Sequence, residues 1–124
     1  MMNKEITLTD AEWEVMNYLW DHPGATGKET CEFLEEKEGW KRSTTLTLIS
    51  RLAAKGAVSE ERSGKVKTFF PAIDREDIGI AETQSFLERV YQGSLSLMVS
   101  SLTRKQALSK EEVEELLALL KGGE

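Results

Sequence analysis

At 124 residues, 40% hydrophobic and 31% charged, the chain has the size and composition of one helix-rich globular domain, or of a small domain with an appended module. No apolar run approaches the ~20 residues that span a bilayer, MMNKEITLTD holds no apolar leader core, and a single cysteine excludes an intrachain disulfide and a cysteine-based metal cluster, so a cytoplasmic protein without membrane insertion is expected. The net charge of −6 disfavours a polyanionic partner for the chain as a whole, and its distribution therefore has to be read.

Thr9-Asp10-Ala11-Glu12 sets Thr at an N-cap with Glu three residues on, which is a capping box. The helix it predicts runs to about His22, buries Val15, Met16 and Leu19 with Trp13 and Trp20, and ends at His22-Pro23-Gly24. The two tryptophans lie inside an apolar helical stripe, so they are read as core rather than as a platform for bases. His22 is the only histidine, so no histidine-based metal site or catalytic triad can be assembled, and it is read as a C-terminal cap.

Thr26-Gly27-Lys28-Glu29 repeats the capping box after a very short strand at Ala25-Thr26. The second helix is expected to reach about Lys37, with Cys31 or Thr30, Phe33 and Leu34 inward, and Cys31 acting as a small core residue. Glu38-Gly39 closes it and Trp40 plugs the following turn.

A third helix follows over about 42–55, closed by Lys55-Gly56. Leu48, Ile49 and Leu52 fall on one face with Leu46 and Ala53 flanking, while Ser43, Thr44, Thr47 and Arg51 fall elsewhere. Lys41 and Arg42 form its approach. The positive end of the helix dipole favours a phosphate there, and short hydroxyl side chains let the backbone come close to base edges. The period then changes to two: Ala57–Arg62 and Val66–Phe70 read as strands joined at Ser63-Gly64-Lys65 and stopped by Pro71. Three helices followed by a basic-tipped hairpin is the order of a winged helix-turn-helix. Residues 40–70 hold seven basic side chains against two acidic ones, a local +5, whereas 1–39 carry −7 and 71–124 carry −4. Base-edge contacts are assigned to Ser43, Thr44, Thr47 and Arg51, and phosphate contacts to Lys41, Arg42, Arg62, Lys65 and Lys67.

From Asp74 or Asp77 a fourth helix runs through Tyr91, carrying Ile78, Ala81, Phe86, Leu87 and Val90, until Gly93 breaks it. Leu95, Met98, Val99 and Leu102 keep helical spacing in the next segment. Ser109-Lys110-Glu111-Glu112 is a third capping box, opening a helix with Val113, Leu116, Leu117 and Leu120 that ends at Gly122-Gly123. The expected fold is thus mostly α with a small β-hairpin: a winged helix-turn-helix domain over 1–73 and a helical dimerisation region over 74–124. The dimer contacts are assigned to Ile78, Phe86, Leu87, Val90, Leu95, Met98, Leu102, Val113, Leu116, Leu117 and Leu120. A two-fold pair would set its recognition helices about 34 Å, or a multiple of that, apart. The sequence holds no Gly-rich phosphate loop, HExxH or nucleophile elbow, so no enzyme, cofactor or metal is expected. The competing reading is a winged-helix protein-interaction module without sequence-specific DNA binding.

AEWEVMNYLW at 11–20, TLISRLAAKG at 47–56, FLERVYQGS at 86–94 and LSKEEVEELLALL at 108–120 together resemble the penicillinase-repressor family of bacterial winged-helix repressors. The resemblance covers nearly the whole chain and implies a homodimer on palindromic operator DNA, connected with antibiotic resistance. Copper-responsive members carry a Cys-x-Cys pair that this sequence lacks. Antibiotic-responsive members are inactivated by a membrane sensor protease, and the matching bond here is Ser101–Leu102, where the residues depart from the family's Asn-Phe. The recognition helix departs as well, reading Lys41-Arg42-Ser43 at its start and Leu46 where members often place a basic residue.

Overall fold

The structure, a computed structural model, describes residues 6–122. It contains helix α1 (Asp10–Asp21), strand β1 (Ala25–Thr26), helices α2 (Gly27–Glu38) and α3 (Arg42–Lys55), strands β2 (Val58–Ser63) and β3 (Val66–Pro71), and helices α4 (Arg75–Tyr91), α5 (Leu95–Arg104) and α6 (Lys110–Gly122). The chain divides into two compact units, one through Ile80 and one from Ala81.

In the first unit the helix starts follow the sequence. Thr9 accepts from the Glu12 amide while Glu12 accepts from the Thr9 amide, and Thr26 and Glu29 repeat the exchange. α3 is the exception, for Lys41 stands at its N-cap without a side-chain hydrogen bond. Its other end is conventional: Gly56, at φ +86°, takes the left-handed position that an L side chain resists. The sheet is antiparallel in the order β1-β3-β2, with Ala25 opposite Phe69, Val58 opposite Pro71 and Arg62 opposite Lys67. Gly64 and Lys65 form the turn between β2 and β3.

The core gathers Val15, Met16 and Leu19 of α1, Leu34 of α2, Leu48, Ile49 and Leu52 of α3, and Ala57, Val58 and Phe69 around the sheet. Trp13, Trp20 and Trp40 are half-buried against it. Trp20 Nε1 donates to the Ile73 carbonyl at 3.0 Å, and the Arg75 guanidinium lies 5.1 Å from the Trp20 ring centroid, so the first turn of α4 is tied to the end of α1. Asp74, not Asp77, is the residue whose carboxylate accepts at that helix start, from the Asp77 amide.

Two expectations are corrected here. Phe33 is 40% exposed rather than inward and stacks on Tyr18, with ring centroids 4.6 Å apart. The arc that α2 can bury holds Thr30, Cys31 and Leu34, and Phe33 falls just outside it. Leu46 is likewise 39% exposed, while its neighbour Thr45 is fully buried.

In the second unit α5 is capped by Ser94 and α6 by the reciprocal pair Ser109 and Glu112. None of its described side chains is buried: Leu87, Met98, Val99, Leu102 and Val113 are only half-covered. No described helix is long and apolar enough to cross a membrane.

Candidate nucleic-acid interface

α3 turns Thr45, Leu48, Ile49 and Leu52 into the core, and this fixes what its other side presents. Ser43, Thr44, Thr47, Leu48 and Arg51 line one open depression of about 300 Å³. The four residues assigned to base-edge contacts are therefore brought together, with Leu48 contributing an apolar edge that the sequence pattern had placed wholly in the core. Ser50 is exposed one turn beyond Thr47 on the outward side, and the 3.6-residue period was sufficient to find it.

The charged side chains divide by their partners. Arg51, Arg62 and Lys65 are exposed and make no ion pair among the described residues. Lys41 and Arg42 are exposed at the start of α3. Lys67, opposite Arg62 on the hairpin, lies 3.6 Å from the Glu60 carboxylate and is partly neutralised by it. Lys55 is taken out of the set, since it binds the buried Glu12 carboxylate and the Thr7 carbonyl.

Behind the start of α3, the buried Cys31 Sγ lies 3.8 Å from the Arg42 carbonyl oxygen. Burial pushes its thiol up; the Arg42 charge opposes this, and Glu32 and Glu35 add to it, so the group stays a protonated core residue. No described group of His, Cys, Asp and Glu side chains is arranged to hold a metal ion.

Of the side chains assigned to a dimer contact, Phe86, Val90, Leu95, Leu116 and Leu117 are exposed, and Leu87, Met98, Leu102 and Val113 are half-buried. Ile78 lies elsewhere, buried in the core of the first unit. The side chain of Leu120 is outside the described residues. Ser101 and Leu102 are half-buried in α5, with Ser101 Oγ 3.3 Å from the Tyr91 hydroxyl and 3.0 Å from the Met98 carbonyl oxygen.

Comparison with known proteins gives a consistent picture. Residues 8–122 match the family model described as penicillinase repressor. The chain is 35% identical to the penicillinase repressor of Bacillus licheniformis over 119 residues, covering 96% of this chain and 93% of that one. It is 32% identical to the methicillin resistance regulatory protein MecI of Staphylococcus aureus over 120 residues, covering 97% and 98%. Among solved structures, it is similar to the monomeric form of Bacillus licheniformis BlaI in complex with the blaP half-operator, with 34% identity and a TM-score of 0.54 over 61% of this chain and 93% of that one.

Proposed function

The chain belongs to the penicillinase-repressor family, and from that premise we propose a transcriptional repressor that binds double-stranded operator DNA as a homodimer and has no catalytic activity. The observation that carries this reading is the depression on α3, where Ser43, Thr44, Thr47 and Arg51 meet on the side opposite the core. In a winged helix this face enters the major groove. Lys41 and Arg42 at its start, with Arg62, Lys65 and Lys67 on the hairpin, supply cations for the flanking phosphates. Phosphate affinity follows the local patch: residues 40–70 carry +5 by sequence, of which the Lys55 charge is taken up by Glu12.

Dimerisation is assigned to the second unit. Its described side chains bury nothing completely on their own, yet Phe86, Val90, Leu95, Leu97, Leu116, Leu117 and Leu119 stand exposed. Apolar surface of that extent calls for a second copy. The binding of monomeric BlaI to a half-operator fits one first unit on each half of an inverted repeat. Induction is assigned to a membrane sensor protease cutting at Ser101–Leu102; both side chains are half-buried within α5, so cleavage needs that helix to open locally.

The deciding experiment is a gel shift with the full chain on the DNA upstream of its own gene. Salt-sensitive binding to a short inverted repeat is expected. Absence of binding at low salt overturns the proposal and leaves the protein-interaction reading.

A further inference from the structure

The side of α2 turned away from α3 carries a surface that operator binding leaves free. Cys31 faces α3, with its Sγ 3.8 Å from the Arg42 carbonyl oxygen, and Phe33, two residues on, lies about 200° further round the helix. Phe33 is 40% exposed, and its ring stacks on Tyr18 of α1 with centroids 4.6 Å apart and planes inclined by 29°. His22 stacks on the same tyrosine at 4.4 Å. The half-buried Tyr18 thus holds the Phe33 ring in place while leaving much of it open to solvent.

Carboxylates surround this ring. Glu29 and Glu36 stand one turn before and one turn after Phe33 on the same row of α2, and Glu32 adjoins it. All three are exposed and make no ion pair among the described residues. Burial raises the Tyr18 phenol above its ordinary value, and the charges of Glu29 and Glu32 raise it further, so their field reaches the stack. Lys37, the cation next along the row, is held by Glu14 at 2.5 Å and by Glu38 at 3.7 Å.

We infer that this face docks a basic segment of another protein through an arginine laid flat on the Phe33 ring, with Glu29, Glu32 and Glu36 meeting the flanking cations. A guanidinium is planar, weakly hydrated and drawn to the negative face of an aromatic ring, so it stacks better than an ammonium. Charge disfavours the competing occupants. A nucleobase stacked there would bring its phosphates against three carboxylates. An apolar peptide would desolvate those carboxylates without a counter-charge, and the same face of a second copy would repel its like.

The test follows the fluorescence anisotropy of a labelled Gly-Arg-Gly-Arg-Gly-Arg-Gly peptide and of its lysine counterpart with the full chain. The arginine peptide should bind about fivefold more tightly, the difference that one cation–π contact supplies. Phe33→Leu should abolish that preference and Phe33→Trp should keep or raise it, whereas Glu32→Gln with Glu36→Gln should weaken both peptides alike. Phe33→Leu should also keep the parent's circular dichroism and, in a gel shift, its operator affinity within twofold. Equal binding of the two peptides by the parent overturns the inference, and so does an arginine preference that survives in Phe33→Leu. Loss of DNA binding by a folded Phe33→Leu overturns it by giving the ring to the operator contact. A smaller sedimenting species for Phe33→Leu than for the parent overturns it by giving the face to a second copy. Peptide binding as expected without any operator binding upholds this inference and overturns the repressor reading instead.

Discussion

The Nζ of Lys55, in the last turn of α3, lies 2.5 Å from Oε1 of Glu12, the carboxylate that also closes the capping box of α1. One buried oxygen thus joins the beginning of the first helix to the end of the recognition helix. Burial pushes the Glu12 carboxyl up, but hydrogen bonds from Lys55 and the Thr9 amide, together with the Lys55 charge, outweigh it and hold the group below its usual value. A carboxyl lowered on folding contributes its stabilisation fully above the unfolded pKa, and loses it as pH falls through the folded value. Lys55→Met strands the carboxylate and should cost about 2 kcal/mol at neutral pH. The cost should shrink in acid, where Glu12 takes up a proton. Urea titrations at pH 7 and in the acid range check both statements, and a cost unchanged between them would refute the linkage.

The hairpin predicts a graded electrostatic response. Lys65, in the turn, makes no ion pair among the described residues, so Lys65→Ala should weaken binding to all DNA sequences alike and lower the slope of log K against log salt by about one unit. Lys67 shares its charge with Glu60. Glu60→Gln should therefore tighten binding and steepen that slope, opposite in sign to Lys65→Ala. Affinities measured over a salt series separate the two.

Thr45 is fully buried, and among the described residues its hydroxyl has no hydrogen-bond partner. A buried polar group without a partner costs free energy that an apolar replacement of the same shape does not incur. Thr45→Val should raise stability by about 1 kcal/mol. Since Thr45 points away from the depression, operator affinity should stay within twofold of the parent. A urea midpoint and a gel shift on the same preparation test both halves.

Most of the architecture was legible because the signals were local. Thr9, Thr26 and Ser109 announce their helices through groups three residues apart, and Gly39, Gly56 and Gly93 mark their ends by a backbone angle that few other residues accept. What escaped depends on how wide an arc the partner elements cover, which no period encodes. Phe33 has helical spacing with the core but meets Tyr18 at the surface, whereas Thr45, written as polar, is drawn inside because Leu48, Ile49 and Leu52 fix the rotation of α3. Ile78 has the same spacing as Phe86 and Val90, yet it closes the first core, because the contacts of Trp20 and Arg75 bring the start of α4 down onto α1. The candidate base-reading residues were legible for a simpler reason. Once one face of a helix is committed to the core, the opposite face follows from arithmetic.

For the second unit, the expected outcome is dissociation without unfolding of the first. Leu116→Glu with Leu117→Glu places two carboxylates on the exposed apolar side of α6. Sedimentation should show the dimer converted to monomer at concentrations where the parent is paired. Affinity for a full inverted repeat should drop toward that for a half-site, since the gain from linking two half-sites is lost. A variant that stays dimeric removes α6 from the interface.

The bare start of α3 has a further consequence. α1, α2, α5 and α6 each begin with a hydroxyl side chain that accepts from their own first turn, whereas Lys41 offers nothing to the amides behind it. An acidic or hydroxyl residue at that position would stabilise the free protein by about 1 kcal/mol. It would also exchange a cation for a neutral or negative group at the point assigned to a phosphate. Stability and recognition therefore pull residue 41 in opposite directions, and the chain carries the residue that leaves its reading helix the least self-sufficient of those described. Lys41→Asp should melt later and bind more weakly, a gain and a loss produced by the same few atoms.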